Sequence, residues 1–408
     1  MNRSSLPAGT LIAGLLLALQ ACGGDSGTAG PEGVTVTDSA GVRIVENTGD
    51  GTWDSGEAWG VEEMFRVGGM DADTDAMFGQ IVSVDVDDMG RVYVADQQAR
   101  RISVFSDEGT FLRTVGQPGS GPGEIGQMFM GMFEREGEVW TIDLGGQGVQ
   151  RFGPEGEFLG NTPVNVMSGI PLRMDETDSG VIAQRRAMGA DGTMGTTGDA
   201  VTTIGAGAGD TITVLPIGQT VTMSGGEARM VMLAPEPIWD VAEDGSWVEG
   251  MQQRYRFEVF DADGQLDRVI VRDVQPQPVT EGVERLVRDA LRDQMRAMGA
   301  PAEAMEPVLR QMEFADTMPV VAQLILESDG HLWVQQTGDI SELAEDENFD
   351  LQSLGLPAWD IFDPDGVYLG RLELPQRFQP VRLIDGVLWG IQRDDLDVQS
   401  VVGMRVVR

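Results

Sequence analysis

A glycine turn that returns at fixed distances constrains this chain more than any other feature of its 408 residues. Asp88-Met89-Gly90 separates the apolar segments VSVDV and RVYVAD, and Asp107-Glu108-Gly109 separates RISVF from FLRTV. The two glycines lie 19 residues apart, Gly137 and Gly156 repeat the pair 47 residues on, and Gly245 and Gly264 are again 19 apart. Aspartate caps such a turn with its side chain, and glycine supplies the positive φ the turn needs. Alternating apolar residues between turns mark half-buried antiparallel strands. Further first turns follow at Gly180, Gly330 and Gly386, and a second turn at Gly366 comes after a long acidic insertion.

Four strands in about 45 residues is the pitch of a propeller blade. Six first turns therefore predict an all-β, six-bladed β-propeller over residues 35–408. Tyr93, Trp140, Trp333 and Trp389 each stand three residues after a turn glycine, a register suited to filling the wedge between neighbouring sheets. The last blade supplies only three strands, VRLI, VLWGI and VVGMRVV. A strand near the N-terminus, either Val42–Asn47 or Met64–Gly69, is expected to complete that sheet and close the ring. Two segments depart from the pattern. Residues 189–210 read as a Gly/Thr-rich insertion, and residues 280–314 read as a helical hairpin, with Val283, Leu286, Val287, Ala290, Leu291 and Met295 on one face, Gly299 as a stop and Pro301 as a restart. The hairpin is either a packing cap on a blade or a lid or docking element over the pore.

Composition removes most chemistry. With 66 acidic and 28 basic residues the formal charge is −38, too acidic for a general nucleic-acid binder. Every basic residue is Arg, which excludes Schiff-base and P-loop lysines. One histidine, His331, excludes a multi-His metal centre, and one cysteine, Cys22, excludes an internal disulfide. Near the N-terminus, Arg3 precedes an apolar run, Leu11 to Leu19, that is shorter than the ~20 residues of a membrane-spanning helix. Leu19-Gln20-Ala21-Cys22 then resembles the lipobox of bacterial lipoproteins. That resemblance implies a signal peptide over residues 1–21, lipidation at Cys22 and a flexible Gly-rich tether over residues 22–34. It also implies an exported protein held to a bacterial membrane by lipid alone, with Gly23 in place of Asp pointing to the outer membrane, facing the periplasm.

GRVYVADQQARRISVFSDEGTFLRTVG resembles an NHL-type repeat, and GQPGSGPGEI after it resembles the connection between such blades. DGHLWVQ, WDIFDPDGVYLGRLELP and LWGIQRDDLDVQSVVGMRVVR are similar to the six-bladed β-propeller family of predicted bacterial lipoproteins. Known members of the wider NHL group are mostly binding and scaffold modules. A minority of six-bladed propellers are calcium-dependent hydrolases or lactonases, and one relative is a zinc lyase, which a lone His331 cannot serve.

The candidate binding residues are Asp96 and Asp143, six residues after their turn glycines, and their later equivalents Gln336 and Gln392. They either cap the loop between second and third strands or converge on the pore, where oxygen ligands could hold calcium. His331 reads as structural or solvent-facing. Asp71, Asp73 and Asp75 start like a calcium loop, but Ala76 and Val82 stand where such a loop needs Gly and Glu. Trp239-Asp240 and Trp359-Asp360 lack the Gly-His partner of a WD repeat. Arg100, Arg101, Arg185 and Arg186 read as partners of the abundant acids. No catalytic constellation emerges. The expectation is a non-enzymatic, lipid-anchored binding or scaffold module of the cell envelope with a protein, peptide or glycan on one face, no cofactor and no nucleic acid. The alternative is a calcium-dependent hydrolase or lactonase, which requires at least three carboxylates or amides around the pore.

Overall fold

The computed structural model describes residues 28–29, 31–54, 56–143, 148–162, 170–188, 194–204, 211–216, 221–224, 227–234, 236–297, 301–340 and 354–408. Residues 1–21, read from the sequence as a signal peptide, and Cys22 lie outside these residues, as does most of the acidic insertion after Asp339.

Each expected turn glycine sits in a hairpin. Gly90, Gly137, Gly180, Gly245, Gly330 and Gly386 all have positive φ and separate the first and second strands of six successive sheets. Gly109, Gly156, Gly264 and Gly366 do the same between third and fourth strands. The first, innermost strands are Ile81–Val86, Phe129–Arg135, Ile170–Thr177, Pro237–Val241, Val321–Leu326 and Phe378–Ile384, one for each of blades one to six. Innermost strands of successive blades touch from one to five, Gln323 of blade five donates to the Pro380 carbonyl of blade six, and the innermost strand of blade six returns to that of blade one. Six antiparallel sheets therefore stand radially around a central channel, with blade three across the ring from blade six.

Both candidate closing strands are used, in different places. Gly60–Gly68 pairs antiparallel with Gln399–Val407 and supplies the fourth strand of blade six, so the Met64–Gly69 alternative closes the ring. Val42–Asn47 instead adds to blade four, parallel to Leu266–Arg272, and brings Val34–Ser39 and Thr28–Ala29 with it as further strands. Between these two pairings, residues 51–53 cross the edge of blade five, where Thr52 and Trp53 both donate their amide N–H groups to the Leu369 carbonyl. The Gly/Thr-rich stretch is corrected in part. Its residues Met194–Ile204 are the third strand of blade three, not an insertion, because Val201 and Ile204 pair with Gln184 and Val181 of the second strand.

The core lies between sheets. Tyr93 of blade one packs against Phe129 and Met132 of blade two, and Trp333 of blade five packs against Leu388 and Val402 of blade six. Each such side chain contributes roughly 1.5–3 kcal/mol by leaving water. Trp140 differs: it is half-buried, stacked on Phe133, with Arg151 5.3 Å above its ring.

The hairpin forms as read, with α1 over Glu281–Ala297 and α2 over Ala302–Gln311, in the connection between blades four and five. Val283 and Val287 of α1 pack on Met318 and Ile340, while Met305 and Leu309 of α2 close on Met232 and Phe314. Glu313–Phe314 pairs with Glu227–Met232, which moors the hairpin to the connection between blades three and four. The helices thus cap loops at one end of the ring, the end where the innermost strands begin.

Candidate functional site

The central channel has a volume of about 1870 Å³ and is walled by the six innermost strands. Its chemistry changes along its length. Where these strands begin, the wall carries Gln80, Gln252, Gln323 and Gln379. Toward the ends of the same strands it carries Arg173, Asp175, Glu176, Asp240 and Arg382.

Arg382 of blade six reaches across the axis. Its Nη1 lies 2.8 Å from Asp85 Oδ2 of blade one and 3.1 Å from Glu176 Oε1 of blade three, and its Nη2 lies 3.3 Å from Asp175 Oδ1. Asp175 Oδ2 is also 2.8 Å from Arg173 Nη2, which pairs in turn with Asp240 of blade four. The remaining two blades join through backbone. Asp85 Oδ2 accepts the Glu134 N–H of blade two at 2.7 Å, and Asp240 Oδ2 accepts the Leu326 N–H of blade five at 2.8 Å. One girdle of two guanidiniums and four carboxylates therefore touches all six blades.

Its electrostatics follow from burial and from the excess of acid. Desolvation raises the pKa of Asp85 and Asp240 against the pull of their arginines. Burial and the neighbouring Asp85 charge push Glu176 up to about 8, and burial pushes Glu134 up to about 7. Burial also opposes the Arg382 charge, but Asp85, Asp175 and Glu176 together outweigh it and hold the guanidinium above its ordinary range. A guanidinium already stands at the centre of three carboxylates, where a metal ion would otherwise be drawn.

The residues singled out in the sequence lie elsewhere. Asp96 is buried in blade one and accepts N–H groups from Gly79, Gln80 and Ala99. Asp143 is buried in blade two and accepts the Gly126 N–H at 2.7 Å. Gln336 donates to Asp360, and Gln392 to the carbonyls of Gln376 and Arg393. All four fix loops and neighbouring strands, and none is among the residues that wall the channel. Arg101 donates to the carbonyls of Thr74, Asp75 and Met77 instead of pairing with an acid.

The girdle left a signal before the glycines. Asp85, Asp175 and Asp240 each precede the first-turn glycine of their blade by five residues. That position is on the innermost strand, whereas six residues after the glycine is on the second strand.

At the turn end of the channel, Glu327, Asp329 and His331 bring their ligand atoms within 4.8 Å of one another. Arg408 occupies this group: it pairs with Glu327, lies 2.8 Å from Asp329 Oδ2, and sits 4.5 Å above the Trp59 ring. His331 Nδ1 is 2.8 Å from Asp329 Oδ1, and its ring packs 5.1 Å from Trp59. The histidine is thus part of a clasp.

Residues 63–172 match the model of a family, DUF5128, described as 6-bladed beta-propeller. The chain is a six-bladed β-propeller. Two solved structures are similar to this propeller over most of its length. One is a Bacteroides fragilis protein whose name assigns it to export, 10% identical, with a TM-score of 0.51, covering 90% of this chain and 100% of that one. The other is a DUF4221 family member from Bacteroides vulgatus, 9% identical, with a TM-score of 0.51, covering 85% and 98%. At such identities the likeness concerns the fold. Among curated proteins none matches this sequence.

Proposed function

We propose that this propeller is a binding module of the bacterial cell envelope, anchored by lipid on Cys22, that takes its ligand in the central channel. The observation that carries this reading is the position of Arg382. The channel does hold the carboxylates that a calcium-dependent hydrolase or lactonase would need, yet a guanidinium of the chain itself sits among three of them. Calcium needs about six to eight oxygens closed around it in one shell, and Arg382 stands between these carboxylates and holds them apart. Binding asks only for a rigid wall with side chains of fixed orientation, which the blades and girdle supply.

A thermal melt of the purified protein with calcium and then with chelator tests the reading. Calcium at 100 times a dissociation constant would add about 2.7 kcal/mol of stability. The melt is expected not to move, whereas a shift reversed by chelator and lost in Asp175→Asn would restore the hydrolase reading. The anchor is tested separately by incorporation of labelled fatty acid, which Cys22→Ala should abolish.

A further inference from the structure

We propose that the ligand of the channel is an extended, arginine- or lysine-bearing peptide, with its main chain on the glutamines of the mouth and a cationic side chain on the girdle carboxylates. This rests on the binding-module reading and names the chemistry of the ligand. Three observations carry it.

The first is size. A channel of about 1870 Å³ exceeds the ~300–1,000 Å³ of a small-molecule pocket and is far larger than an ion or a simple amine needs. The second is charge. The channel wall carries nine carboxylates against five guanidiniums, so the field inside favours a cation. The third is the mouth. In a chain this acidic, the end of the channel where the innermost strands begin carries Gln80, Gln252, Gln323 and Gln379 beside Glu236, Arg377, Arg393 and Asp397. A primary amide both donates and accepts, which matches a peptide main chain. A glycan would ask for an open aromatic face to stack on. The aromatic residues of the wall are Phe133, Trp239 and Phe378, and all three are buried, at 4%, 4% and 5% exposure. Met130 and Met174, partly exposed on the same wall, offer adaptable apolar contact to whatever side chains a peptide brings.

The girdle gives this proposal a signature that outer-surface attraction lacks. Glu176 faces Asp85 of blade one, with Glu134 of blade two beyond it. Asp175 and Arg173 flank it on its own strand, Asp240 and Glu243 belong to blade four, and Arg382 and Asp385 to blade six. Burial among these acids keeps its proton on to about pH 8. A cation arriving beside it favours the ionised form, so binding releases a proton and tightens as pH rises from 6 to 8. Carboxylates on the outer surface are already ionised over that range and give no such dependence.

The test is fluorescence anisotropy with a labelled octapeptide of alternating Gly and Arg, and with its Gly–Glu counterpart. The Arg peptide is expected to bind and the Glu peptide not to. Affinity should rise about threefold or more between pH 6 and pH 8, and Glu176→Gln should flatten that rise. Gln80 and Gln379 are exposed, so Gln80→Arg with Gln379→Arg should leave the melt unchanged while weakening the Arg peptide about tenfold through like charge at the mouth. Two outcomes overturn the proposal: no binding of the Arg peptide at low salt, or binding that is flat with pH and indifferent to the mouth variant. Either leaves the calcium melt untouched, so a failure here stays distinct from a failure of the binding-module reading.

Discussion

Glu176 shows how a single carboxyl can set the behaviour of a buried group of charges. Its pKa is pushed up to about 8 in the fold, against about 4.3 in an unfolded chain. The folded state therefore binds more protons between these values. The associated stability is complete below about pH 4.3 and is lost as pH rises through 8. Glu134, at about 7, acts in the same sense. The protein should melt lower at pH 9 than at pH 6, and Glu176→Gln should raise the melt at pH 9 and reduce the slope. A loss of about 1 kcal/mol would lower Tm by roughly 1 °C in a chain of this size. A wild-type melt that is level over this range would contradict the burial assigned to Glu176. Little of this was legible beforehand. An aspartate five residues before a turn glycine reads as one more polar position in an alternating strand, and only the closing of six sheets brings Asp85, Asp175 and Arg382 together from positions up to 297 residues apart.

At the scale of elements, the turns and the hairpin were legible because their causes are local. Asp-Gly chemistry and helical spacing act within a few residues. The fate of the N-terminal strands was not, because Val42–Asn47 and Gly60–Gly68 both alternate and both expose a pairing edge. What separates them is long-range. Asn47 donates to the Gly366 carbonyl at 3.0 Å and accepts the Tyr368 N–H at 2.8 Å, so the first strand is held where blades four and five meet. The crossing between the two strands depends on Gly51. Its φ is +108°, and a Cβ there would lie 2.5 Å from the Leu369 carbonyl oxygen. Gly51→Ala should therefore destabilise by about 1–3 kcal/mol. Hydrogen exchange should locate the loosening at residues 34–53 and at the edge of blade five. Uniform loss of protection around the ring would show that this crossing does not act as a separate unit.

Across the whole molecule, the fold is a ring whose last sheet borrows a strand from its first part, and Arg408 fastens it. That guanidinium bridges the end of blade six to Glu327 and Asp329 of blade five and covers Trp59, just before the closing strand. Arg408→Ala should lower stability by about 1–2 kcal/mol, more than an exposed ion pair would account for, because a partly buried Glu327 loses its partner. A double-mutant cycle with Glu327→Gln should recover a coupling of more than about 0.5 kcal/mol. An additive cycle would make the contact incidental.

Closure also sets a timetable. Gly60–Gly68 is made early, but the strand it pairs with, Gln399–Val407, leaves the ribosome some 330 residues later. At about 5–20 residues per second that wait is on the order of tens of seconds. Throughout it, an unpaired strand edge is on offer to any neighbouring chain, and the ring cannot shield it from within. In a chain with this topology that edge stays open until Gln399–Val407 arrives to cover it.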